Sequence, residues 1–307
     1  MRNHHEWSKS AAELTGPCFA EFHIGLTKYN AARFEPLLPE EASSDQLRRE
    51  AQIGEAEIIF VETLRRAVAS RTADIPSTVD SFIEWFEALK EVGPGQGDPL
   101  FPWLANTASV EQMTWFLLQE VAGEAGFEDL LALTQIRVPL TAKLEMARNF
   151  WDEMGRGWGN GMHGPMLERL ANYFNLNPTP DSVVPESLAL GNTMIALAKH
   201  RRYAFQSIGA LGAIEMTAPT RAGFVNAGLK RLGVPAKMRH YFAVHAVLDV
   251  KHSEAWNREV LRPLVTEDPR RARALGEGAV IRLWHGARSF ERYRRELGIV
   301  GDRLLAA

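Results

Sequence analysis

His245-Ala-Val-Leu-Asp249-Val-Lys-His252, inside the segment Lys237 to Trp256, is the stretch from which the rest of the chain is read. At roughly 100° per residue on an α-helix, steps of four and then three residues return His245, Asp249 and His252 to within roughly 60° of one another. Two imidazoles and a carboxylate then share one face, and the residues between them are mostly apolar. That donor set suits iron, manganese or zinc. The pattern therefore predicts a helix with a metal-binding face packed against other helices.

Working outward, nearly every long segment has helical period, and no run of alternating β-branched residues argues for a strand. Helical regions are expected over 10–37 with an interruption near Gly16-Pro17, over 44–71, and over 77–92. Gly93 to Pro99 reads as a loop. Ser109, with Gln112 three residues on, has the form of a capping box. Pro139 opens a helix reaching Glu153. Residues 184–217 read as one long helix, with Pro219 to Leu232 as a connector, and Asp268-Pro269 starts a last helix ending near Leu297. Gly209, Gly212 and Ala213 are small enough to let a neighbouring backbone approach. The expected fold class is all-α, a bundle of seven to ten helices.

A second segment stands out at Glu153-Met-Gly-Arg-Gly-Trp-Gly-Asn-Gly-Met-His163-Gly, with five glycines within 155–164. Each glycine costs about 1 kcal/mol in a helix relative to alanine. Ten residues at roughly 100° leave Glu153 and His163 roughly 80° out of phase on a straight helix. A glycine-rich break supplies the missing rotation and lets one segment deliver a carboxylate and an imidazole together.

Composition excludes several classes. The chain has 307 residues, 46% hydrophobic and 24% charged, with a formal charge of -3, so it lacks the electrostatic footprint of a nucleic-acid binder. No apolar run of about 18 residues and no signal peptide are visible, so no membrane partner and a cytoplasmic location are expected. Cys18 is the only cysteine, which rules out an intrachain disulfide and a thiolate cluster. It is also a poor candidate for the nucleophile that thiamin-degrading hydrolase chemistry would need.

Glu153, His163, His245, Asp249 and His252 together offer five oxygen and nitrogen ligands, and a carboxylate from Glu120 would make six. Helical bundles holding two irons draw such groups from facing helices. The chain here resembles the haem-oxygenase-like di-iron oxidases and oxygenases, often described as iron-containing redox enzymes. The resemblance runs from about Asp98 to Leu297. It rests on Asp98-Pro-Leu-Phe-Pro-Trp103, Phe116-Leu-Leu-Gln-Glu120, Asp152-Glu153-Met-Gly-Arg-Gly157 through His163, Gly209-Ala-Leu-Gly-Ala-Ile-Glu215, and the His245, Asp249, His252 triplet.

The resemblance implies a haem-oxygenase-like bundle that binds two ferrous ions and no haem, with manganese as the alternative, and uses O2 as co-substrate. Its implied metal ligands are Glu120, Glu153, His163, His245, Asp249 and His252. Glu124, one turn after Glu120, is the alternative to it. Glu215 and Arg202 are candidate substrate or supporting residues, and Arg201, Arg221, Arg282 and Arg288 are further cations able to clamp a carboxylate. The implied reaction is oxidation of a small molecule, with an amino acid or amine favoured, by desaturation, C–C cleavage or hydroxylation. Alternatives are a fatty-acid decarboxylating oxidase and a non-catalytic metal-dependent regulatory protein on the same scaffold. An external electron donor and a homodimer are compatible with this reading. Residues 1–97 are expected to be N-terminal helices packing on a metal-binding core at 98–300, within one structural domain.

Overall fold

The computed structural model of the chain describes residues 9–38, 44–123 and 126–299. Among the described residues every regular element is helical. In chain order the α-helices are α1 (Gly16–Arg33), α2 (Ser44–Ala67), α3 (Val79–Val92), α4 (Leu100–Asn106), α5 (Val110–Gly123), α6 (Phe127–Thr134) and α7 (Leu140–Glu153). They continue as α8 (His163–Tyr173), α9 (Pro185–Lys199), α10 (Ala204–Arg231), α11 (His240–Ala255), α12 (Arg262–Glu267) and α13 (Arg271–Glu296). The fold is the expected all-α bundle. It has more pieces than the anticipated seven to ten because short helices such as α4, α6 and α12 stand as separate elements. The capping box is present: Gln112 N–H donates to Ser109 Oγ at 3.3 Å, and Ser109 N–H donates to Gln112 Oε1 at 2.9 Å.

One boundary differs from the sequence expectation. The helix predicted over 184–217 breaks after Lys199, where His200 leaves helical geometry and Arg201–Tyr203 form a 3-10 turn. The following helix then runs unbroken through Pro219 to Arg231. A proline inside a helix removes the N–H that Glu215 C=O would otherwise accept from and crowds that carbonyl, a cost of about 3 kcal/mol that the buried packing of this helix offsets. The break at 200 is fixed by long-range contacts instead. His200 Nε2 sits 2.8 Å from Glu57, which also receives Arg33 at 2.6 and 3.1 Å.

Helix α10 is the axis of the bundle, packed along its length on α13, α11 and α4. Its glycines let backbones meet. A Cβ at Gly209 would stand 1.8 Å from Leu275 O on α13, and one at Gly278 of α13 would stand 1.8 Å from Gln206 O on α10. At Gly212, Trp256 and Phe86 occupy the space a side chain would take. Two apolar clusters result. The larger joins Phe22, Leu26 and Phe60 of the N-terminal helices to Leu197, Leu211 and Leu275. The smaller gathers Phe101, Phe116, Val225, Phe242, Phe290 and Tyr293. No described helix is long and apolar enough to cross a membrane.

Candidate metal centre

A cavity of about 220 Å³ lies where the two apolar clusters meet, with Leu130 and Met194 from the larger and Phe101, Val225 and Phe242 from the smaller on its wall. One end of it is built from α7, α8, α10 and α11. Helix α7 stops at Glu153, and the chain then takes positive φ at Gly155 (60°), Arg156 (53°) and Gly157 (84°) before α8 begins at His163. Left-handed backbone is costly for residues bearing a Cβ, so glycine suits 155 and 157. Arg156 is tied at that turn by its Nε, which donates to Asp152 Oδ1 at 2.6 Å. The reversal brings His163 Nδ1 to 2.6 Å from Glu153 Oε2. The glycine run thus performs the rotation that the sequence called for.

His245 of α11 completes a first triad with Glu153 and His163, and Glu215, Asp249 and His252 form a second. Within each triad the candidate ligand atoms lie within 4.8 Å of one another. The two triads are neighbours: His245 Nδ1 of the first lies 3.0 Å from Asp249 Oδ2 of the second, and within the first the His163 and His245 rings are 4.6 Å apart. Every member is buried or nearly so.

Four buried atoms in these triads lack a well-directed hydrogen bond: Glu153 Oε2 and His163 Nδ1, which face each other at 2.6 Å, His245 Nε2, and His252 Nδ1, which lies 3.5 Å from Glu215 Oε2. Buried polar atoms are ordinarily paired, and leaving one unpaired costs about 1–3 kcal/mol. Three of the four belong to the first triad and one to the second. The outer atoms of the same groups are occupied: His245 Nδ1 by Asp249, His252 Nε2 by Asp152 at 3.1 Å, and Glu215 Oε1 by Asn149 Nδ2 at 2.6 Å. An outer carboxylate that fixes the imidazole tautomer and leaves the inner nitrogen bare, as Asp152 can for His252, is the usual support for metal-bound histidine. Carboxylate plus imidazole, with no thiolate, matches iron or manganese.

The charges agree with this. Burial works against a charged His245, but the hydrogen bond and charge of Asp249, with Glu153 and Glu215, raise it to about 9. Burial likewise opposes protonation of His252, and Glu215, Asp152 and Asp249 outweigh it, again to about 9. Burial also pushes the Glu215 carboxyl up to about 7, against the pull of His252. A compact cluster of acids therefore holds protons where cations would sit.

The remaining candidates are placed as follows. Glu120 lines the same cavity but belongs to neither triad; it lies where it influences Arg221 and Tyr293. Glu124 lies outside the described residues. Arg202 is on the 3-10 turn before α10, over the Tyr203 ring at 5.3 Å and 4.0 Å from Glu62, and is not among the cavity-lining residues. Its alignment with Glu215 assumed one continuous helix, which the break at 200–203 removes. Arg201 is likewise spent on the carbonyls of Leu133, Thr134 and Ile136.

Glu215 enters a triad outright, although its sequence context marked it only as a possible contact. Asp152 and Asn149 were not singled out; both lie on α7 near Glu153, Asn149 one turn before it, and that spacing was the available signal. Glu128 also faces the cavity, its Oε1 beside Gly164 at the start of α8, and burial and nearby acids raise its carboxyl.

No curated protein matches the chain. A family model described as iron-containing redox enzyme matches residues 114–287, a span that includes both triads and the cavity wall from Glu120 to Arg282. With more than half of its length covered by that match and two clusters able to hold metal at its centre, the chain belongs to the iron-containing redox enzyme family.

Proposed function

We propose that the protein is a non-haem oxidase or oxygenase that holds two irons and uses O2 to oxidise a small amino acid or amine. The observation that carries this reading is the packing of six buried or nearly buried carboxylates and imidazoles into two adjacent triads, the ligand atoms of each within 4.8 Å of one another. An iron pair held there would supply electrons to O2 for chemistry that removes hydrogen from carbon or nitrogen. Glu153, His163 and His245 would hold one ion, and Glu215, Asp249 and His252 the other, with Glu215 standing where Glu120 was expected to complete the six. Manganese fits the same donors.

The chain's own residues do the rest. Asp152 would keep the His252 Nε2 proton on the outer side, so Nδ1 stays available, and Asp249 faces His245 Nδ1 and so links the two triads. Leu130, Met194, Val225 and Phe242 keep bulk water away from the reacting end of the ligand. Glu128, whose carboxyl is raised by burial, can hold a proton on its carboxyl oxygen beside the first triad.

The test is anaerobic titration with ferrous iron, followed by calorimetry. The expected result is two irons per chain, falling to one in His252→Ala. A plateau at one iron that His252→Ala leaves unchanged would reject the two-metal reading. Accelerated O2 uptake by the loaded protein on adding an amino acid supports the substrate class; indifference to every amino acid and amine tried would exclude it.

A further inference from the structure

The cavity has two chemically opposite ends. The triads make one end acidic. At the other, Arg221 of α10 and Arg282 of α13 both face the same space, with the Glu120 carboxylate on the same wall and acting on Arg221. Arg221 lies six residues beyond Glu215 on α10, about 9 Å further along the helix axis. Leu190, Met194, Ile214 and Val225 line the wall between.

The Arg221 guanidinium is held in place rather than swinging free. It stacks on Phe290 at 4.8 Å and on Phe101 at 5.7 Å, and those two rings meet edge to face at 4.8 Å. With the Gln96 amide in the orientation that satisfies both its atoms, its oxygen accepts from Arg221 Nη2 at 2.7 Å. Stacking immobilises a guanidinium plane and leaves donor edges available to a planar anion. The nearby acids are committed elsewhere in part: Asp98 pairs with Arg294 and caps Leu100 N–H at 2.9 Å, and Glu120 is shared with Tyr293. Two guanidiniums that face one cavity, Arg221 over two aromatic rings, can fork a planar carboxylate that lies between them.

We propose that Arg221 and Arg282 bind the carboxylate of the substrate, which places the position to be oxidised several bonds from that carboxylate, at the triads. This rests on the reading of the triads as the metal site. It separates the substrate from one whose own carboxylate would sit on the metals, as decarboxylation of a fatty acid would require. Both an amino acid and a simple alkyl acid offer the required group. What distinguishes them is whether an amine beside the carboxylate is also recognised.

Binding of hexanoate, hexanamide and L-norleucine, followed by saturation-transfer NMR on as-isolated and iron-loaded protein, tests this. The native chain should bind hexanoate at least about tenfold more tightly than hexanamide. Arg221→Gln, and separately Arg282→Gln, should remove that preference while iron stoichiometry stays unchanged. Arg221→Lys retains the charge but loses the fork, and should recover only part of the preference. Norleucine binding more tightly than hexanoate identifies an amino acid; the reverse identifies an alkyl acid. Hexanoate binding that survives both glutamine variants, or that is no tighter than that of hexanamide, overturns the proposal. Hexanoate binding lost in His245→Ala yet kept in Arg221→Gln also overturns it, by placing the carboxylate at the triads. Because the carboxylate preference is read in as-isolated protein too, a failure of the metal reading shows separately, as absent iron binding with the preference intact.

Discussion

Replacing Gly155 with alanine should damage the first triad without touching any of its ligands. Gly155 has φ 60°, and a Cβ there would stand 2.3 Å from the carbonyl carbon of Gly161 and 2.5 Å from Met162 N. Ordinary carbon contacts are about 3.5–4.0 Å, so residues 161–162 must retreat by about 1 Å. The left-handed backbone costs a further 1–2 kcal/mol or so for alanine, and overpacking of this kind about 1–3 kcal/mol. Met162 directly precedes His163, so the retreat carries the imidazole away from Glu153 and His245. Metal ligands must be within about 0.2 Å of their bonding distances. We therefore expect Gly155→Ala to weaken ferrous iron binding at that triad at least about tenfold, with a lowered Tm and unchanged helical circular dichroism. Gly159→Ala is the control, since a Cβ there meets nothing within 4 Å. The reasoning is refuted if Gly155→Ala binds both irons with native affinity, or if Gly159→Ala is equally harmful.

Two further outcomes are expected. Asp152→Asn, which removes the carboxylate 3.1 Å from His252 Nε2, should lower iron affinity at the second triad by about 10- to 100-fold; an unaltered titration curve would show that Asp152 does not position His252. Metal loading should also release protons. His245 and His252 are raised to about 9, so both are protonated at pH 7.5 in the metal-free chain and must become neutral to bind metal. The same raised values add stability to the metal-free protein that is full below the unfolded value of about 6.5 and fades as pH rises through about 9. Release of about two protons per chain at pH 7.5, falling to about half near pH 9 and vanishing well above it, is measurable by calorimetry in buffers of different ionisation heat. Loading without proton uptake by the buffer at pH 7.5 would contradict it.

What was legible in the sequence is what the helix repeat encodes locally. His245, Asp249 and His252 share a face because four- and three-residue steps return to it, and that holds whatever the helix packs against. The cost of glycine in a helix pointed to a turn after Glu153, and the Ser109 and Gln112 pair marked where α5 starts. The family resemblance was carried by these same local patterns, together with the conjunction of His163 and Glu120 with them.

What tertiary structure decided is everything that depends on where one helix stops and which neighbour it meets. The face of Glu215 turned to the second triad only because α10 begins at Ala204 and continues through Pro219. That start was set by Glu57, some 140 residues away, holding His200, and by glycine contacts with α13. Arg202 left the site for the same reason, and Arg221 entered the cavity. No periodicity within a segment contains the phase between segments. It is fixed by side chains packing at interior density against partners distant in the chain, and there the burial of a few carbonyls, rings and charges outweighs local preference.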